Sequence, residues 1–271
     1  MPSLTDRDMT RVLTAGDPDP VVRVNSTGAS SLFLTCEHAG RAVPASLGDL
    51  GVAPEEMERH IAYDVGAEGV ARALAERLDA ALILQRYSRL VIDCNRPFEA
   101  KDCIVLQSDG TPVPANVDVS DAARRARYVE IHQPLHEAIA TALDQRQAAG
   151  KRSLLVSVHS FTPVMRATGA DRDFELGLLY NRDGRLAERL AETFRASNPD
   201  VTVKLNAPYH VDDLSDYTIP VHGERRGIPH VLIEVRNDLI NDVRGQQEWA
   251  ERLAKPLRLA AAILEGTRDD H

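Results

Sequence analysis

Ser153-Leu-Leu-Val-Ser-Val-His159 is an apolar run that ends abruptly in a histidine, and its reading decides the fold. A strand apolar at successive positions, not only at alternate ones, is buried on both faces, the habit of a parallel sheet covered by helices. The same form occurs upstream in Ser31-Leu-Phe-Leu-Thr-Cys36, which breaks at Glu37-His38-Ala39-Gly40, and downstream in His230-Val-Leu-Ile-Glu-Val235. Ala81–Gln85, Leu90–Asp93, Leu176–Tyr180 and Val201–Leu205 read as shorter strands. From Asp64 onward Val65, Val70, Leu74 and Leu78 recur at helical spacing. Ser120 caps a second helix that runs to Ala149 with Pro134 as a kink, a third covers 184–197, and a last one runs from Gln246 to Leu264. Strands alternating with helices predict an α/β fold, a three-layer sandwich around a mostly parallel central sheet.

The chain of 271 residues carries 32 basic and 41 acidic side chains, a net charge of −9, which disfavours a nucleic-acid or anionic-membrane partner. No Pro/Gly/Ser-rich linker interrupts it, so the reading is a tail over residues 1–30, extended around Asp17-Pro18-Asp19-Pro20, and one catalytic domain over 31–271. The first residues lack the charged, apolar, small order of a signal peptide, and no apolar run has the length of a membrane span, so the expected compartment is the cytoplasm. Cys36, Cys94 and Cys103 have no CxxC spacing and read as free thiols, at least two of them buried.

In open α/β sheets ligands gather beyond the carboxyl ends of the strands, where this pattern sets His38, Asp93, His159 and Glu234. Two histidines and a carboxylate form a common ligand set for a catalytic divalent ion, so His38 and His159 are expected as metal ligands. Asp64 is the first choice for the acid, with helix capping as its other reading, and His60 stands in reserve. Glu234 sits within an apolar strand, where burial raises its pKa and suits it to general base and acid work; the competing reading is a salt bridge to Arg236 or Arg225. Asn95 and Arg96 form a fork for a substrate carboxylate, beside an Arg89–Asp93 ion pair, and His222 in a flexible loop is set to polarise a carbonyl. His132 and His136 lack the Glu of HExxH and read as helix-surface histidines. No phosphate-binding glycine loop and no G-x-S-x-G elbow is present, which removes kinase and serine-hydrolase readings.

Thr35-Cys-Glu-His-Ala-Gly40, Tyr63-Asp-Val-Gly-Ala67, Asp93-Cys-Asn-Arg96, Ser157-Val-His-Ser-Phe161 and Ile233-Glu-Val-Arg-Asn-Asp238 occur in this order, and over about residues 30–265 the chain resembles the N-formylglutamate amidohydrolase family. The resemblance implies a phosphorylase/hydrolase-like, zinc exopeptidase-like fold and hydrolysis of N-formyl-L-glutamate to formate and L-glutamate in histidine breakdown. A more distant similarity to zinc N-acetylmuramoyl-L-alanine amidases falls on His38, Asp64, His159 and Glu234. The expected function is therefore a metal-dependent amidohydrolase acting on a small acidic N-acyl amino acid, with zinc the first choice among zinc, cobalt, manganese and iron. The alternatives are another N-acyl amino acid or a short peptide as substrate, or a metal-binding protein without turnover.

Overall fold

The structure, a computed structural model, describes residues 11–266. Its strands and α-helices follow in the order β1 (Val21–Val24), β2 (Leu32–Cys36), α1 (Pro54–Met57), α2 (Ala67–Leu78), β3 (Ala81–Gln85), β4 (Gln107–Ser108), β5 (Thr111–Pro112), α3 (Asp121–Arg127), α4 (Gln133–Ala148), β6 (Leu154–Phe161), β7 (Leu176–Leu179), α5 (Arg185–Ser197), β8 (Val203–Leu205), β9 (His230–Arg236) and α6 (Val243–Gly266). One sheet takes the order β1-β3-β2-β6-β9-β7-β8. Strands β3, β2, β6 and β9 run parallel, β1 and β7 are antiparallel to their neighbours β3 and β9, and β8 is parallel to β7. The mostly parallel sheet with helices on both sides is the expected architecture.

All eight residues of β6 are buried because its two faces meet different layers. Val156 and Val158 point into a core completed by α2, α5 and α6, whereas Leu155 points with Phe33 of β2 and Leu232 of β9 into a second core under α4. Each such aliphatic side chain contributes about 2 kcal/mol on burial. Strand alternation then sets Ser157, His159 and Phe161 beyond Leu155 on the α4 face, Thr35 beyond Phe33, and Glu234 beyond Leu232. Thr35 pairs with Ser157 and His159 with Glu234. This face thus changes from apolar to polar towards the carboxyl ends of three adjacent parallel strands, and the change marks the site.

Several elements differ from the sequence reading. Within the segment read as a tail, Val21–Val24 forms the edge strand β1 against β3, and Val12 is fully buried; residues 1–10 of that segment lie outside the described residues. Leu90–Asp93 is a turn, not a strand. Its buried carbonyls are satisfied by side chains in place of a neighbouring strand, Leu90 by Asn116 Nδ2 (2.8 Å) and Val91 by Arg127 Nη1 (3.1 Å). The long helix capped by Ser120 divides into α3 and α4 around a π-helical turn, Tyr128–His132, in which the Gln133 amide reaches back to the Tyr128 carbonyl. Pro134, with no amide hydrogen, follows that turn. The widened turn faces inward, so His132 and His136 are buried, a correction to their reading as surface residues. All three cysteines are free and buried. Among the described residues no helix is long and apolar enough to cross a membrane.

Candidate metal centre and its cavity

His38 follows β2, His159 lies on β6, and Asp64 precedes α2. The Asp64 amide donates to the His38 carbonyl (2.9 Å), which ties the two segments together. Helix α2 does not use Asp64 as its cap; it begins after Gly66, whose φ of +79° and close approach to the Ile240 carbonyl oxygen exclude a Cβ. The carboxylate is thereby released to turn inward. Its Oδ2 stands 2.8 Å from His159 Nδ1 and 3.4 Å from His38 Nδ1, and one ligand atom from each of the three residues lies within 4.8 Å of the others. His60, the reserve ligand, instead meets Asp109 (3.4 Å).

Partners outside the three residues fix their orientation. His38 donates through Nε2 to Asp93 Oδ1 (2.7 Å), and His159 through Nε2 to Glu37 Oε2 (2.9 Å), on which Ser157 Oγ also donates (2.7 Å). Both imidazoles thus turn Nδ1 towards Asp64, as carboxylate-bound histidines do around a metal. Arg89 bridges Asp93 (2.7 Å) and the other oxygen of Asp64 (3.2 Å), so the expected Arg89–Asp93 pair is present within the site itself.

Two observations fit a divalent cation here. His38 Nδ1 is buried with no hydrogen-bond partner, a lone pair aimed at the space between Asp64 and His159. In addition, the three buried carboxylates of Glu37, Asp64 and Asp93 face one guanidinium, Arg89, which leaves two negative charges for a dication to balance. Contacts of 2.8 and 3.4 Å are the separations expected of atoms sharing an ion at about 2.1 Å. A proton partly replaces the cation: burial alone lowers the His159 pKa, but its bonds to Asp64 and Glu37 outweigh this and hold it well above the usual value. Burial likewise opposes ionisation of Asp64, and the imidazoles of His38 and His159 overcome it, keeping that carboxyl far below its ordinary range.

The group opens on a cavity of about 270 Å³. Glu234 lines it, 6% exposed, and its Oε2 has no hydrogen-bond partner; burial raises its pKa to about 7, against the pull of His159. Neither salt bridge considered for it forms, since Arg236 pairs with Asp238 and Glu175. Asn95 and Arg96 also line the cavity, but as engaged groups. Asn95 donates to Asp216 (3.1 Å) and accepts from the amides of Tyr217 and Thr218; Arg96 meets Asp102 (3.1 Å), the Ser215 carbonyl and, more loosely, Asp216 (3.9 Å). A larger cavity, about 720 Å³, lies between β1 and α4 and contains none of these residues.

His222 is not on the cavity wall, which corrects its reading as a flexible electrophile. It is buried behind the Asn95 turn, in a stack with His136 and Tyr217. The acceptors fix the tautomers: His136 donates through Nε2 to the Cys94 carbonyl (2.7 Å), so its Nδ1 must accept from His222 Nε2 (3.1 Å). His132 donates through Nε2 to the Arg96 carbonyl (2.9 Å). Burial pushes His132 and His222 down to about 4 and His136 well below its usual value. Glu37 and Asp216 belong to the site yet were not singled out from the sequence; an acid adjacent to His38 gives no sign that it serves His159 across the sheet.

The model of the N-formylglutamate amidohydrolase family matches residues 30–241. No curated protein matches the chain. Among solved structures it is similar to a gene product of Agrobacterium tumefaciens, with 36% identity, a TM-score of 0.89, and 94% of this chain and 100% of that one covered. It is also similar in fold to an N-formylglutamate amidohydrolase from Ralstonia eutropha, with 20% identity, a TM-score of 0.72, and 92% of this chain and 100% of that one covered.

Proposed function

The chain belongs to the N-formylglutamate amidohydrolase family, and on that premise we propose that it hydrolyses N-formyl-L-glutamate to formate and L-glutamate with zinc held by His38, Asp64 and His159. One observation carries the reading: the unpartnered Nδ1 of His38, facing Asp64 and His159, shares a cavity with the unpartnered Oε2 of Glu234. A bound divalent ion supplies Lewis acidity there and makes water a nucleophile near neutral pH. Glu234 accepts the proton of the attacking water and passes it to the departing amine nitrogen as the amide C–N bond breaks. A carboxyl titrating near 7 suits both transfers. Asp93 and Glu37 hold the two imidazoles in the tautomer that presents Nδ1. Arg96 receives the substrate's α-carboxylate in exchange for Asp216, which it meets at only 3.9 Å, and Asn95 fixes the wall behind it. A cavity of about 270 Å³ favours a small N-acyl amino acid over a peptide.

The test joins metal analysis of the purified protein to formate release from N-formyl-L-glutamate, beside N-acetyl and N-succinyl amino acids. One divalent ion per chain and a preference for the formyl substrate are expected. A protein that retains no such ion refutes the metal reading; one that releases acetate or succinate but no formate refutes the substrate.

A further inference from the structure

Beside the cavity one guanidinium is left without an acid. Among the described residues Arg89 is paired with Asp64 and Asp93, and Arg96 with Asp102 and Asp216, whereas Arg172 has no carboxylate partner. Its side chain is held by rings: the guanidinium carbon lies 4.8 Å from the centre of Tyr209 and 5.9 Å from that of Phe161, and Nη1 donates to the Thr162 carbonyl (3.3 Å). Phe161 is braced in turn by Phe174, with ring centres 4.9 Å apart. Tyr209, Phe161 and Thr162 all line the cavity of the metal centre. Stacking occupies the flat faces of a guanidinium and leaves its N–H edge, a fork matched to a carboxylate.

We infer that Arg172 receives the side-chain carboxylate of the substrate and so selects dicarboxylic N-acyl amino acids, an inference that rests on the amidohydrolase reading and names its specificity determinant. The spacing agrees. Phe161 lies two residues past His159 on the same face of β6, about 7 Å along the strand. In N-formyl-L-glutamate the side-chain carboxyl carbon is five bonds from the formyl carbon, about 6 Å when extended. An amide seated at the His159 end of the cavity carries its second carboxylate to the Phe161 end, while Arg96 on the opposite segment takes the first.

Binding of L-glutamate and L-glutamine to the metal-containing protein, measured by calorimetry, tests this without turnover. The parent protein should prefer glutamate by about ten- to a hundredfold, the range for a charge-assisted fork at a partly exposed site. Arg172→Ala should abolish that preference through weaker glutamate binding, with glutamine binding unchanged as the control for an intact site. Arg172→Gln, which keeps length and stacking, should do the same if the alanine variant fails to fold. A parent that binds both amino acids equally, or variants that keep the preference, overturns the assignment. Formate release separates the two readings: turnover of N-formyl-L-glutamate with an Arg172-independent preference sinks only this inference, and an Arg172-dependent preference without turnover sinks only the proposed reaction.

Discussion

Replacing Glu234 by Gln should make the metal-free protein more stable and the metal-containing protein nearly inactive, and the first effect follows from the structure in magnitude. Burial raises the carboxyl from 4.5 to about 7. Between those values the folded chain keeps a proton that the unfolded chain has lost, so the native state binds more protons and its stability falls as pH rises. The penalty is absent below about pH 4.5 and complete above about 7. A shift of roughly 2.5 units corresponds to about 3 kcal/mol, and to roughly 5–10 °C in Tm for a chain of this size. Glutamine has the same shape and never ionises, so chelator-treated Glu234→Gln should match the parent near pH 4.5 and exceed it by about 3 kcal/mol at pH 8.5 in urea unfolding. With metal restored, turnover should fall roughly 10²–10⁴-fold, the usual contribution of a general base, at unchanged metal content. Equal stability at pH 8.5 would refute the burial argument, full activity would refute the catalytic role, and loss of metal would make Glu234 a ligand.

Three further outcomes are expected. Asp93→Asn should weaken metal retention on dialysis by roughly 10–100-fold, because an amide no longer fixes His38 with Nδ1 free. Metal binding should release a proton from His159, whose pKa is held above its usual value, so affinity should rise with pH until that imidazole deprotonates; calorimetry in buffers of different ionisation enthalpy reads the proton count. His136→Ala leaves the Cys94 carbonyl and His222 without partners and should cost about 1–3 kcal/mol in urea unfolding, with metal content unchanged.

The parallel strands were legible because burial on both faces writes itself as an unbroken apolar run, and Leu154–Phe161 and His230–Arg236 needed no other signal. The histidines at strand ends were legible for the same reason, since the apolar run stops where the polar site begins. What stayed hidden depends on contacts far apart in sequence. Val21–Val24 shows too little periodicity to declare a strand until β3 lies beside it. Leu90–Asp93 is as apolar as a strand, and only Asn116 and Arg127 reveal that its carbonyls have other partners. His132 and His136 have the spacing of an exposed helix face, and the π-helical turn that rotates them inward is not written in that spacing. Arg96 reads as a free cation because Asp216, 120 residues later, is invisible beside it.

The stacked histidines behind the Asn95 turn have a consequence for how the molecule meets acid. Each carries a single proton already directed to a fixed acceptor, and burial keeps His132 and His222 neutral down to about pH 4. One wall of the cavity is therefore electrically silent over the range in which Glu234, on the facing strand, gains and loses its charge. Acid finds this silence as a threshold: the unfolded chain protonates its histidines from about pH 6.5 downward while these resist, so folding weakens steadily toward pH 4. The wall that holds the substrate thus stays rigid across the working range and gives way below it as a unit.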